Sequence, residues 1–153
     1  LVNFNMRLGI FQVLEQASAL KSTEDKINFL RQNQNPALQT ILRYAYDPTI
    51  VWDLPDGAPP YKECQYPAQE LRLMSEVRRL YLFIKGGNPN LTKLKREALY
   101  IELLESIHPS DAALLIAIKD KKIPYKGITA KLVKEAFPGL IVEQPSNEEH
   151  TTS

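Results

Sequence analysis

At 153 residues with 44% hydrophobic content, the chain suits one ordinary core and is too short for two comfortable ones. Nineteen basic residues against 18 acidic leave a net charge of +1, so no global field draws it to nucleic acid or membrane, and any such binding has to come from a local patch. A single cysteine, Cys64, excludes an intramolecular disulfide framework, and the two histidines, His108 and His150, make no zinc-ligand spacing.

No apolar run approaches the roughly 18 to 20 residues of a spanning helix, and no basic stretch followed by an apolar region and a cleavage site opens the chain. The expectation is a cytoplasmic protein in a reducing compartment, with no membrane contact and no cofactor. In such a setting the sequon Asn90-Leu91-Thr92 carries no physical meaning.

Taken in chain order, Ile10, Val13, Leu14, Ala17 and Leu20 recur at helical spacing within 6–20 and predict a first helix. Ser22 and Asp25 form a capping pair for a short second helix that turns Ile27 and Leu30 inward. Asn35-Pro36 starts a third, because the asparagine oxygen caps free amides and proline suits the first helical position; Leu38, Ile41, Leu42 and Ala45 share its apolar face. Between Asp47 and Pro67, Pro48, Pro55, Gly57, Pro59, Pro60 and Pro67 forbid regular structure, so a long loop carrying Trp52 is predicted.

From Ala68 to Lys85, Leu71, Met74, Val77, Leu80, Tyr81 and Ile84 predict an amphipathic helix ended by Gly86-Gly87. Asn88-Pro89 then starts a helix to about Ile107 with Leu91, Leu94, Ala98, Ile101 and Leu104 buried. His108-Pro109-Ser110-Asp111 opens another, with Ala112, Leu115, Ile116 and Ile118 inside. Pro124 and Gly127 break it, Thr129 caps a last helix with Leu132, Val133, Ala136 and Phe137, and Pro138-Gly139 stops that one. The predicted architecture is therefore all-α: a single compact bundle of about seven helices over 1–142, one long Pro-rich loop, and a flexible acidic tail over 143–153. No alternation persists as in a strand, and no repeat of 20 to 50 residues occurs.

Catalytic signatures are missing. The sequence has no phosphate-binding glycine loop with its lysine, no metalloprotease helix, no nucleophile elbow and no Lys-x-Asp-Gly motif for covalent nucleotidyl transfer; Asp56-Gly57 follows Leu54-Pro55 and fails that pattern. Cys64 reads as a bystander thiol and His108 as a helix cap. Trp52 with Tyr44, Tyr46 and Tyr61 either pins the loop to the core or stacks on a base or sugar, with pinning the commoner use of loop aromatics.

The lysines form the one constellation that points to a ligand. Lys119, Lys121, Lys122, Lys126, Lys131 and Lys134 fall within 119–134, opposed by Asp120 and Glu135, around a turn where Gly127 leads through Thr129 into a helix N-terminus. Such a turn offers backbone amides to a phosphate while lysines supply charge. A second cluster, Lys85, Lys93, Lys95 and Arg96, surrounds Gly86-Gly87. The competing reading of both clusters is a solvated helix face.

The stretch 111–140, with Lys119-Asp120, Gly127-Ile128-Thr129 and Phe137-Pro138-Gly139-Leu140, resembles the end of the N-terminal domain of T-even-phage-type ATP-dependent DNA ligases. Val13-Leu14-Glu15-Gln16-Ala17-Ser18, Ser22-Thr23 and Arg43-Tyr44-Ala45-Tyr46 extend the similarity to about residues 6–145, while Pro124-Tyr125-Lys126 lengthens the turn relative to the family pattern. The resemblance implies a helical domain that grips duplex DNA across the minor groove through phosphate contacts, with Lys119, Lys122, Gly127, Thr129 and Lys134 matching the gripping surface. The ligase catalytic core has no counterpart in this sequence. The resulting expectation is a non-enzymatic phage accessory protein that binds duplex or nicked DNA, in the infected cell's cytoplasm or in the virion. The alternative is a module that keeps the fold but binds a phage or host protein.

Overall fold

The computed structural model describes residues 7–142, so the expected tail over 143–153 lies outside the described residues. Its elements are α1 (Ile10–Ala19), α2 (Thr23–Gln32), α3 (Pro36–Tyr46), α4 (Arg72–Glu76), a 3₁₀ segment (Val77–Phe83), α5 (Lys93–Ser106), α6 (Pro109–Lys119) and α7 (Ala130–Ala136). Among the described residues the nearest approach to a sheet is one antiparallel bridge, Trp52 with Ile84. The fold is all-α.

Local chemistry sets most helix starts. The Ser22 hydroxyl accepts from the Asp25 amide, Asn35 Oδ1 from Leu38, His108 Nδ1 from Ser110 and the Thr129 hydroxyl from Leu132, each satisfying an amide of the first helical turn that has no helical partner. Pro36 and Pro109 occupy first helical positions as predicted. The α3 face of Leu38, Ile41, Leu42 and Ala45 is fully buried. Helix α6 packs against α1, α3 and α5, and α2 packs against α1 and α7. Because α6 is surrounded, Leu114 joins Ala112, Leu115 and Ile118 in the core, while Ile116 is half-buried.

Two predicted elements differ. The helix expected over 68–85 is interrupted: Ala68 adopts a positive φ of 61°, α4 lasts only five residues, and the chain then tightens into the 3₁₀ segment. Val77, Leu80 and Phe83 recur every third residue, the spacing that lines up on one face of a three-residue turn, and these are the buried positions. Leu71 and Tyr81, assigned inward from a 3.6-residue period, are exposed.

The helix expected from Asn88-Pro89 starts later. Asn88 closes a turn instead, its side chain accepting from the Asn90 amide and its carbonyl from the Leu91 amide, and Thr92 caps α5 by accepting from Lys95. The buried face accordingly carries Arg96, Tyr100, Leu103 and Leu104, while Leu94 is 81% exposed.

The loop from Asp47 onward is ordered by named contacts. Trp52, 7% exposed, donates from its indole to the Tyr44 carbonyl and meets the Tyr44 ring edge-on at 5.9 Å, so it pins the loop. The Asp53 amide donates to the Phe83 carbonyl and the Lys85 amide to that of Val51, which ties the loop to the 3₁₀ segment.

Candidate nucleic-acid interface

The chain leaves α6 through a turn that glycine usually makes. The Lys121 amide donates to the Ile118 carbonyl and the Lys122 amide to that of Ala117, the paired bonds of a Schellman cap, with Lys121 itself at φ 64°. A lysine in this left-handed conformation costs about 1 kcal/mol. Its ammonium offsets that by donating to the Tyr44 and Asp47 carbonyls at the end of α3, 3.0 Å each, where a cation also suits the helix dipole. Burial lowers the Lys121 pKa and the Asp47 carboxylate raises it in part.

Three predicted phosphate ligands are therefore engaged within the fold: Lys119 and Arg96 are buried, and Lys121 is exposed but held. Lys121 is committed to α3. Lys119, whose side chain is 2% exposed, donates to the Pro55 carbonyl at 2.9 Å and pairs with Asp120 at 2.8 Å. Arg96 is buried against Asp53 at 3.2 Å and donates to the Leu91 carbonyl. Together they hold the first half of the loop, at Asp47, Asp53 and Pro55. Buried cations are stable only when paired, and the carbonyl-rich loop supplies their partners.

The remaining cations stand outward. Lys122, Lys126 and Lys131 are exposed, and none of the three side chains donates a hydrogen bond or forms an ion pair among the described residues. Lys134 is exposed and engaged in an interaction of its own. Lys122 and Lys126 border an open hollow of about 400 Å³, lined also by Tyr46, Tyr125, Ile128 and Thr129. The Thr129 hydroxyl is occupied as the α7 cap.

That hollow has a fixed floor. Ser18 donates to the Lys126 carbonyl at 2.6 Å, Tyr46 to the Ile128 carbonyl at 2.7 Å, and the Lys26 side chain crosses Gly127. Gly127 sits at φ 84°, where a side chain is strained, and a β-carbon there would meet Lys26 Cε at 2.8 Å. Lys26 adds a cation that charge spacing along the chain did not point to, since it lies a hundred residues upstream on α2. Burial pushes the Tyr125 phenol up to about 12, with the carboxylates of Glu15 and Asp111 adding to the effect, so it stays a neutral donor.

In the second cluster Lys85, Lys93 and Lys95 are exposed while Arg96 is not. Gly87 lies so close to the Tyr81 carbonyl that a β-carbon would stand 1.9 Å from its oxygen, which fixes this turn as glycine. The two clusters flank one loop: Lys121 Nζ reaches the Asp47 carbonyl and the Lys85 amide the Val51 carbonyl, points separated by at most about 14 Å of chain.

His108 is a cap and stacks on Phe11 at 4.4 Å, and Cys64 is half-buried in the loop. Among the described residues no group of three or more His, Cys, Asp or Glu side chains is placed to hold a metal, and no helix is long and apolar enough to cross a membrane. No curated protein matches the chain. Residues 13–125, from within α1 through the turn after α6, match one family over most of the described fold, and the chain therefore belongs to the family of unknown function DUF6433.

Proposed function

We propose that this chain is a non-catalytic phage accessory protein that binds duplex or nicked DNA without sequence preference, gripping phosphates with Lys122, Lys126 and Lys131. The observation that carries the reading is the set of exposed lysines without partners among the described residues, around a turn held rigid by Ser18, Tyr46 and Gly127. A rigid, outward cationic rim loses little conformational freedom on meeting phosphates and releases their counterions. Lys85, Lys93 and Lys95, across the loop, supply a second set of contacts on a long polyanion.

The test is a salt titration of binding to labelled nicked and intact duplex. Three to five phosphate contacts give a log-log slope of roughly −3 to −4.5. Absence of duplex binding at about 50 mM salt, where screening is weak, overturns the reading. A protein partner is then favoured by the +1 net charge and by the apolar side chains that stand exposed, Leu94 and Tyr66 foremost.

A further inference from the structure

Prolines 55, 59 and 60 hold the loop off the surface of α5, leaving a hollow of about 340 Å³, within the lower part of the roughly 300–1,000 Å³ range of small-molecule sites. Leu54, Ala58, Pro59, Pro60 and Ile101 make its walls apolar and flat. Tyr100 lines it, 2% exposed, with a ring fixed edge-on against Phe83 at 5.3 Å and a hydroxyl that has no hydrogen-bond partner among the described residues. Lys119 lines it too, with two of its three N–H donors on Pro55 and Asp120 and one left over.

Charge decides what such a space accepts. Asp56 and Glu97 line the hollow, and the Lys119 ammonium is already neutralised by Asp120. An anion entering there meets net repulsion, whereas an exocyclic amino group, which unlike a ring N–H between two carbonyls brings no flanking pair of oxygens against the carboxylate, finds an acceptor in Glu97, and the ring's own acceptor finds donors in Tyr100 and Lys119. The walls suit a planar ring, since proline and isoleucine faces cover it without requiring further hydrogen bonds.

We infer that this hollow binds a neutral heteroaromatic ring bearing an exocyclic amino group and an acceptor edge, as cytosine and adenine do. Glu97 accepts from the amino group and the Tyr100 hydroxyl donates to the ring's acceptor. The site is separate from the outward lysines and stands or falls without them. The ring comes either from a free nucleoside or from a base extruded from DNA.

The test is an amide NMR titration of the full chain with cytidine, adenosine, uridine and benzoate in turn. Cytidine and adenosine are expected to give saturable shifts at Ala58, Tyr100 and Ile101, with about fivefold tighter binding than uridine or benzoate, the worth of one hydrogen bond. Glu97→Gln is expected to erase the preference for amino-bearing rings, and Tyr100→Phe, which removes only a buried unpaired hydroxyl, to weaken cytidine about fivefold with folding intact. Duplexes with and without a single mismatched cytosine separate the sources: shifts at the same residues with the mismatched duplex identify an extruded base, and shifts with nucleosides alone identify a free one. If neither nucleosides nor mismatched duplex move these resonances, if benzoate binds as well as cytidine, or if Tyr100→Phe binds unchanged, the inference fails.

Discussion

Asp111 is fully buried in the first turn of α6, with neither carboxylate oxygen hydrogen-bonded among the described residues. Burial pushes its pKa up to about 7; the nearby Phe11 amide, outside hydrogen-bonding geometry, lowers it in part, and Glu70 raises it further. A carboxyl that binds its proton more tightly folded than unfolded favours folding at low pH, and that contribution is lost as pH rises from about 4 through 7. Asp111→Asn, which has no charge to bury, is expected to be more stable than wild type at pH 8 by up to roughly 4 kcal/mol, with the gain shrinking toward pH 4. Urea unfolding across that range checks it; a stability difference independent of pH removes the argument. Lys121 makes a second residue-scale case. Lys121→Ala keeps the left-handed strain and loses both carbonyl contacts, so about 1–2 kcal/mol of stability should go, whereas Lys121→Gly relieves the strain and falls between. Denaturation midpoints in the order wild type, Gly, Ala are expected.

Helix α6 organises the elements, touching α1, α3 and α5, and a change at its centre is felt by three neighbours. Leu115 is fully buried there, and Leu115→Ala is expected to cost about 2–5 kcal/mol, measured by calorimetry or denaturant. A cost below 1 kcal/mol would show that the neighbours collapse into the gap. The loop acts as an element in its own right, although it has no regular structure. Lys121, Arg96 and Lys119 hold its carbonyls and Asp53, and Trp52 seals it to α3, so it keeps both the core covered and the hollow above α5 open.

For the whole molecule the near-neutral charge matters, because binding then depends on a few outward lysines rather than on an extended field. Replacing Lys122, Lys126 and Lys131 together with Gln is expected to flatten the salt dependence of duplex binding by up to about 2.7 log-log units and to weaken all sequences alike, with the melting temperature unchanged. Equal binding by the variant removes these residues from the interface. Incubation with labelled ATP and magnesium is expected to leave the protein unlabelled after denaturation, since no lysine stands in a Lys-x-Asp-Gly setting. A covalently labelled band would contradict this.

What the sequence by itself determined is local. The caps at Ser22, Asn35, His108 and Thr129 each join a side chain to an amide two or three residues on, and the buried faces of α1 and α3 follow from a 3.6-residue period, so neighbouring residues suffice. The start of α5 was harder even at this range, because Asn88-Pro89 and Thr92 both carry start signals and only the backbone decides between them. Tertiary structure alone decided which cations are engaged within the fold. Lys119 finds its carbonyl 64 residues away and Lys121 finds one 77 residues away, and a run of lysines does not encode which of them meets a loop arriving from so far along the chain. The same holds for Asp111, for Lys26 over Gly127 and for the hollow against Tyr100. Helix propensity and capping act over a few residues, whereas burial of a charge depends on what the rest of the chain packs beside it.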